Sequence, residues 1–196
     1  MASEHVDAGQ LSERIEILRL EKIEAENAWS WTTLRHSWAR VELQQRRNNY
    51  STHGIGAAGA ELVLRRQELT LLDAIRWRGQ HLFLTGIAPR GRNHLTVTAA
   101  LVEVHACRDP ETGLRFPGVV TEKYLGHRQE EPMAVNDIQF VLVTHPAIVL
   151  QPGHLVNVDG LSVDGHSAEP NDWPITIAHK LDPWKTEYEL DRKAEL

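Results

Sequence analysis

Alternation of apolar and polar side chains dominates this chain, and helical spacing is scarce. Arg14-Ile15-Glu16-Ile17 alternates and runs on through Leu18 and Leu20, predicting a first strand. Over residues 37–43, Trp38, Arg40 and Glu42 fall on one face and Ala39, Val41 and Leu43 on the other, predicting a second. A third is predicted at 61–69. Residues 74–77 and 81–87 flank Arg78-Gly79-Gln80, a hairpin signal. After a turn at Pro89-Arg90-Gly91-Arg92, a long β-branched strand fills 94–104. Further strands are predicted at 119–125, 138–144, 147–150, 154–158, 161–163, 175–179 and 186–190, with dense turn punctuation such as Asp159-Gly160 and Asp164-Gly165. A polar, turn-rich stretch at 107–113 separates the two parts. The places left for helix are the extreme ends and 21–28. The expected fold class is mainly β: a small antiparallel β-barrel or sandwich with a long inserted loop over 1–106, plus a second β-rich acidic lobe over 107–196.

Residues 44–60 break the pattern. They hold Arg46, Arg47, Asn48, Asn49, Tyr50, His53, Gly54, Gly56 and Gly59, with hardly a bulky apolar side chain among them. A loop this long inside a compact domain is usually functional or disordered.

Composition narrows the classes. With 196 residues and 41% hydrophobic, the chain is large enough for a real core and too apolar to be wholly disordered. No stretch approaches the roughly 18 consecutive apolar residues of a membrane helix, so no membrane span is expected. Residues 1–10 lack a basic region followed by an apolar run, so no signal peptide is expected. The single cysteine, Cys107, cannot form an internal disulfide and fits a reducing, cytosolic origin.

The net charge of −6 is unevenly spread. Residues 1–106 carry 13 basic and 12 acidic groups, and residues 107–196 carry 8 and 15, giving +1 against −7. Twelve of the 13 basic residues in the first part are arginine, which suits forked contacts at interfaces.

Candidate chemistry is thin. The eleven histidines include His145 and His154 but show no His-x-x-x-His spacing, and Cys-x-x-Cys is absent, so neither a metal nor another cofactor is expected. His105 and Cys107 share a strand face, an arrangement that more often holds an inert thiol than a nucleophile. Neither a G-x-S-x-G elbow nor a phosphate-binding G-x-x-x-x-G-K-[ST] loop occurs, and no enzyme is expected. A single-stranded nucleic-acid-binding barrel is the alternative, with Trp77 and Phe83 as stacking faces and the arginines tracking phosphates. The small positive charge of the first part argues against strong DNA binding.

The order of signals resembles a known family. Leu11-Ser12-Glu13-Arg14-Ile15-Glu16-Ile17, then the tryptophan-bearing Trp38-Ala39-Arg40-Val41-Glu42, then a long polar loop, resembles the head-tail joining (head-closure, stopper or head-completion) proteins of tailed bacteriophages. Glu61 to Arg66, Ile75 to Ile87 and the strand closing at Val104 continue the likeness, which covers about half the chain. Val63 and Arg66 stand where that family commonly has an aromatic and a tyrosine. The resemblance implies a non-enzymatic virion neck protein, made in the host cytoplasm and acting at the head–tail interface. It would form a homo-oligomeric ring, dodecamer or hexamer, with a portal or adaptor protein above and a tail or tail-terminator protein below. Packaged DNA would pass through its lumen without sequence-specific binding, and the loop 44–60 would lie near that channel and help retain it. Arg65, Arg66, Arg76, Arg78, Arg90 and Arg92 are the candidate subunit interface. A tail-terminator or tail-completion protein is the nearest alternative.

Overall fold

The computed structural model describes residues 8–44, 58–130, 133–161, 172–180 and 183–191. Its architecture is almost entirely β, including a closed six-stranded antiparallel barrel. Two compact units are present: unit 1 comprises 1–21 and 31–103, and unit 2 comprises 22–30 and 104–196. These units differ from the expected division at 106 in that 22–30 and 104–106 belong to unit 2.

Unit 1 is built from β1 (Glu13–Ile23), β2 (Ala28–Leu43), β3 (Gly59–Arg65), β4 (Ala74–Trp77), β5 (Gln80–Arg90) and β6 (His94–Val102). The pairing order is β1-β4-β5-β6-β3-β2, and β1 pairs with β2 to close the barrel. Closure leaves this sheet without a free edge. Alternation drives the result: Ile15, Ala39, Leu62, Leu64, Ile75, Trp77, Leu82, Leu84, Leu95 and Val97 all point into one buried cluster. The β4–β5 turn has φ of 50° at Arg78 and 80° at Gly79, so both central residues lie in the left-handed region. That is the backbone twist a two-residue hairpin needs, and glycine meets it without strain. The third strand ends at Arg65 rather than 69.

Unit 2 contains β7 (His105–Arg108), β8 (Arg115–Glu130), β9 (Met133–Thr144), β10 (Leu155–Val158), β11 (Asp172–His179) and β12 (Thr186–Leu190). Its pairing order is β8-β7-β10-β11-β12-β9, and β9 pairs back onto β8. Strand β8 pairs with β7 through 115–118 and with β9 from 119 onward. Likewise β11 pairs with β10 through 172–174 and with β12 from 175. These two strands therefore change partners along their length, as corner strands do where one sheet folds over into another. Phe116, Val119, Leu142, Ile148, Val156, Trp173, Ile175 and Tyr188 are buried here. At Gly118 a side chain is excluded, because a Cβ would stand 2.5 Å from Leu142 Cδ1 and 2.9 Å from Cys107 Sγ.

Four expectations are corrected. Residues 21–28 are not an α-helix: β1 runs to Ile23, a single 3-10 turn occupies Glu24–Glu26, and Asn27 takes a left-handed conformation. The Asn27 amide donates to the Thr112 carbonyl at 3.1 Å, and Arg115 N–H donates to the Asn27 carbonyl at 3.1 Å, which holds this segment in unit 2. Residues 147–150 are not a strand, because a side chain satisfies their backbone: the Tyr188 hydroxyl donates to the Ile148 carbonyl and accepts from Leu150 N–H, each at 3.0 Å. Residues 107 and 108, read as turn, belong to β7. Leu161 lies in no strand, and 162 and 163 lie outside the described residues. Among the described residues, no helix is long and apolar enough to cross a membrane.

Candidate functional site

Strand register assembles the most distinctive surface of unit 1. Ala39 pairs with Leu64, and both side chains point inward; continued by one residue, that register sets Trp38 across from Arg65 on the outward face. Arg65 in turn pairs with His94, and His94 with Arg90. Arg66 donates its backbone N–H to the Asn93 carbonyl at 2.7 Å, and Arg92 sits in the same β5–β6 turn. Trp38 is 56% exposed, and Arg65, Arg66 and Arg92 are exposed as well. Backbone register thus brings an exposed tryptophan and three exposed arginines to neighbouring positions.

The six candidate interface arginines divide into two sets. Arg76 pairs with Glu16 at 3.1 Å, and Arg90 lies 4.0 Å from Glu61. Arg78 forks onto the Glu13 carboxylate at 2.8 and 3.1 Å, while Trp77 Nε1 donates to the same group at 2.9 Å. The Trp77 and Arg78 hydrogen bonds hold the Glu13 carboxyl below its ordinary range. The Arg78 guanidinium also lies over the Trp77 ring, 4.9 Å from its centroid. In contrast, Arg65, Arg66 and Arg92 make no side-chain ion pair among the described residues.

Trp77 and Phe83 are 7% and 8% exposed, so they are core side chains rather than stacking faces. Trp38 takes that exposed position instead, and its signal was its place among Arg40 and Glu42 on the polar face of β2. Of the long loop, Arg46, Arg47, Asn48, Asn49, Tyr50, His53, Gly54 and Gly56 lie outside the described residues. Gly59 opens β3 opposite Ala100, and its carbonyl accepts from Gln44 N–H at 2.8 Å, pinching the loop's base.

The histidine and cysteine candidates are placed as follows. Cys107 is buried, and burial pushes its thiol up to about 12, with Asp159 acting in the same direction, so it stays protonated at neutral pH. His105 Nδ1 faces the Asp159 carbonyl at 3.1 Å, and His145 Nδ1 accepts from Ala147 N–H at 3.0 Å. His154 lies between Asp109 and Glu111, at 3.9 and 3.3 Å. No group of three or more His, Cys, Asp or Glu is placed to hold a metal among the described residues. Inside unit 1, His81 packs between Trp31 and Phe83, with ring centroids 5.3 and 5.7 Å away. Burial pulls its pKa down to about 4, and the charge of Arg76 acts in the same direction.

Charge divides along the structural units more sharply than along the midpoint of the chain. Unit 1 has 12 arginines, no lysine and 10 acids, a balance of +2. Unit 2 has 9 basic and 17 acidic residues, a balance of −8. Comparison of the chain with known protein families, with curated proteins and with solved structures finds no match.

Proposed function

We propose that this chain is a structural, ring-forming protein of the tailed-bacteriophage neck, which closes the DNA-filled head and presents a docking surface to the tail. The observation that carries this reading is the barrel of unit 1. Its strand, hairpin and final strand occupy the segments on which the resemblance rests: 13–23, 28–43, 59–65, the 74–90 hairpin and 94–102. The connection of 44–58 joins β2 to β3, two neighbours in that barrel, where the resemblance calls for a long loop. A charge imbalance between units also suits a subunit that must offer two unlike faces to its neighbours. In this role the partners are a portal or adaptor protein on one side and tail components on the other, with DNA passing through the lumen.

Electron microscopy of phage particles from a host expressing the tagged full chain is the direct test, read with an antibody to the tag. Label at the head–tail junction, and retention on tailless filled heads, is the expected result. Retention on free tails alone would favour the tail-terminator reading, and absence from all particles would overturn both.

A further inference from the structure

We infer that the Trp38–Arg65–Arg66–Arg92 surface of unit 1 docks onto the acidic unit 2 of a second copy of this chain, joining copies head to tail. Most other described arginines of unit 1 are already engaged. Arg19 is matched by Asp73, Arg40 by Glu42, Arg76 by Glu16, Arg78 by Glu13 and Arg90 by Glu61. Arg35 is held by the Gln67 side chain and the Glu68 carbonyl. Arg14 aside, the three arginines whose side chains have neither a carboxylate nor another hydrogen-bond partner among the described residues are backbone neighbours, close in register to the most exposed tryptophan of the unit. Exposed tryptophan beside arginine is the composition of an interface hot spot, not of a solvated face.

Arginine forks fit carboxylates and phosphates equally well, so the occupant must be decided by supply and by field. Carboxylates are supplied by every copy: unit 2 has 17 acids against 9 basic groups. Asp159, exposed at the turn after β10, has no side-chain partner among the described residues. A polyanion such as nucleic acid must instead approach a chain of net charge −6. Because the basic patch is on one unit and the acidic excess on the other, the contact is between unlike surfaces. Such contacts propagate into a ring or a filament rather than stopping at a symmetric pair. The inference needs only the self-association contained in the proposed neck role, not the phage context itself.

Sedimentation velocity on the purified full chain tests it first. Wild type is expected to self-associate with concentration, at least about tenfold more weakly in about 500 mM than in about 50 mM salt. The triple variant R65E/R66E/R92E is expected to lose association at least about tenfold, and W38A to weaken it, with the circular dichroism and thermal unfolding of wild type. A second measurement identifies the surfaces. Unit 1 has no lysine, so R65K/R66K/R92K gives it side-chain amines that a zero-length carbodiimide can couple to carboxylates. In a mixture of light and isotope-labelled chains, links from positions 65, 66 or 92 are expected to reach carboxylates within 104–196 of the other isotope. A chain monomeric at every concentration and salt, association indifferent to the charge reversal, or links confined to one copy would each overturn the inference. So would a monomer that binds a single-stranded oligonucleotide through these arginines. Absence from phage necks, with association and cross-links intact, would remove the neck role and leave this interface standing.

Discussion

Replacing Tyr188 by phenylalanine removes one oxygen and keeps the ring. That oxygen serves two backbone groups at once: it donates to the Ile148 carbonyl and accepts from Leu150 N–H, both at 3.0 Å. Tyr188, Ile148 and Leu150 are all buried, so water cannot take over. An orphaned buried donor costs about 1–3 kcal/mol and the carbonyl adds a smaller penalty, giving about 2–4 kcal/mol in all. Cys107 supplies the assay, being the chain's single cysteine and buried in unit 2. Its reaction with a chromogenic disulfide under native conditions reports the fraction of time unit 2 is open. At about 1.4 kcal/mol per tenfold, the variant should react about 30- to 700-fold faster. The urea midpoint of unit 2 should fall with an unchanged slope. A rate within about threefold of wild type, with the same midpoint, would refute the assignment of 147–150 as a segment held by this hydroxyl.

Acid should weaken unit 1 in two stages. His81 is kept neutral by burial, so between its ordinary 6.5 and about 4 the unfolded chain binds a proton that the folded chain does not. Stability therefore falls by about 3 kcal/mol as pH drops through that window, and urea midpoints of His81→Leu should be nearly flat there. Glu13, held below its ordinary 4.5, contributes above that value, and its share is lost only as pH falls further, a loss absent from Glu13→Gln. Trp77→Ala should cost about 3–5 kcal/mol by calorimetry, whereas Trp38→Ala should stay within about 0.5 kcal/mol of wild type. Gly118→Ala should destabilise unit 2 by about 1–3 kcal/mol in urea, since its Cβ would overpack Leu142 and Cys107.

The barrel was legible because its signals are local: alternation in β1, β3 and β6 and the Arg78-Gly79 turn between β4 and β5. What escaped depends on distant partners. Strand β7 is four residues long beside a turn, and it exists because 105–108 pair with 115–118 and Cys107 and Arg108 with 157–158. The apolar run at 147–150 looks like a strand, yet its hydrogen bonds go to Tyr188, about 40 positions away. At the candidate site, the outward place of Trp38 could be read from its polar-face neighbours. Which arginines stay available could not, because Arg76 and Arg78 find Glu16 and Glu13 at sequence separations of 60 and 65.

The closure of the barrel also dictates an order of events during synthesis. Strand β1 leaves the ribosome first and can pair early with β2, but its other edge must wait for β4, as the separation of 60 between Glu16 and Arg76 shows. At about 5–20 residues per second, that wait is about 3–12 s. Throughout it, Ile15, Ile17 and Leu18, all fully buried in the finished fold, lie along a strand with an unpaired edge. The first strand of the barrel thus keeps an open edge until β4 is made, and the edge of β3 stays open longer still, until β6 is made. Nascent chains halted before β6, with the edge of β3 and at first that of β1 unpaired, should be the ones that aggregate or hold a chaperone.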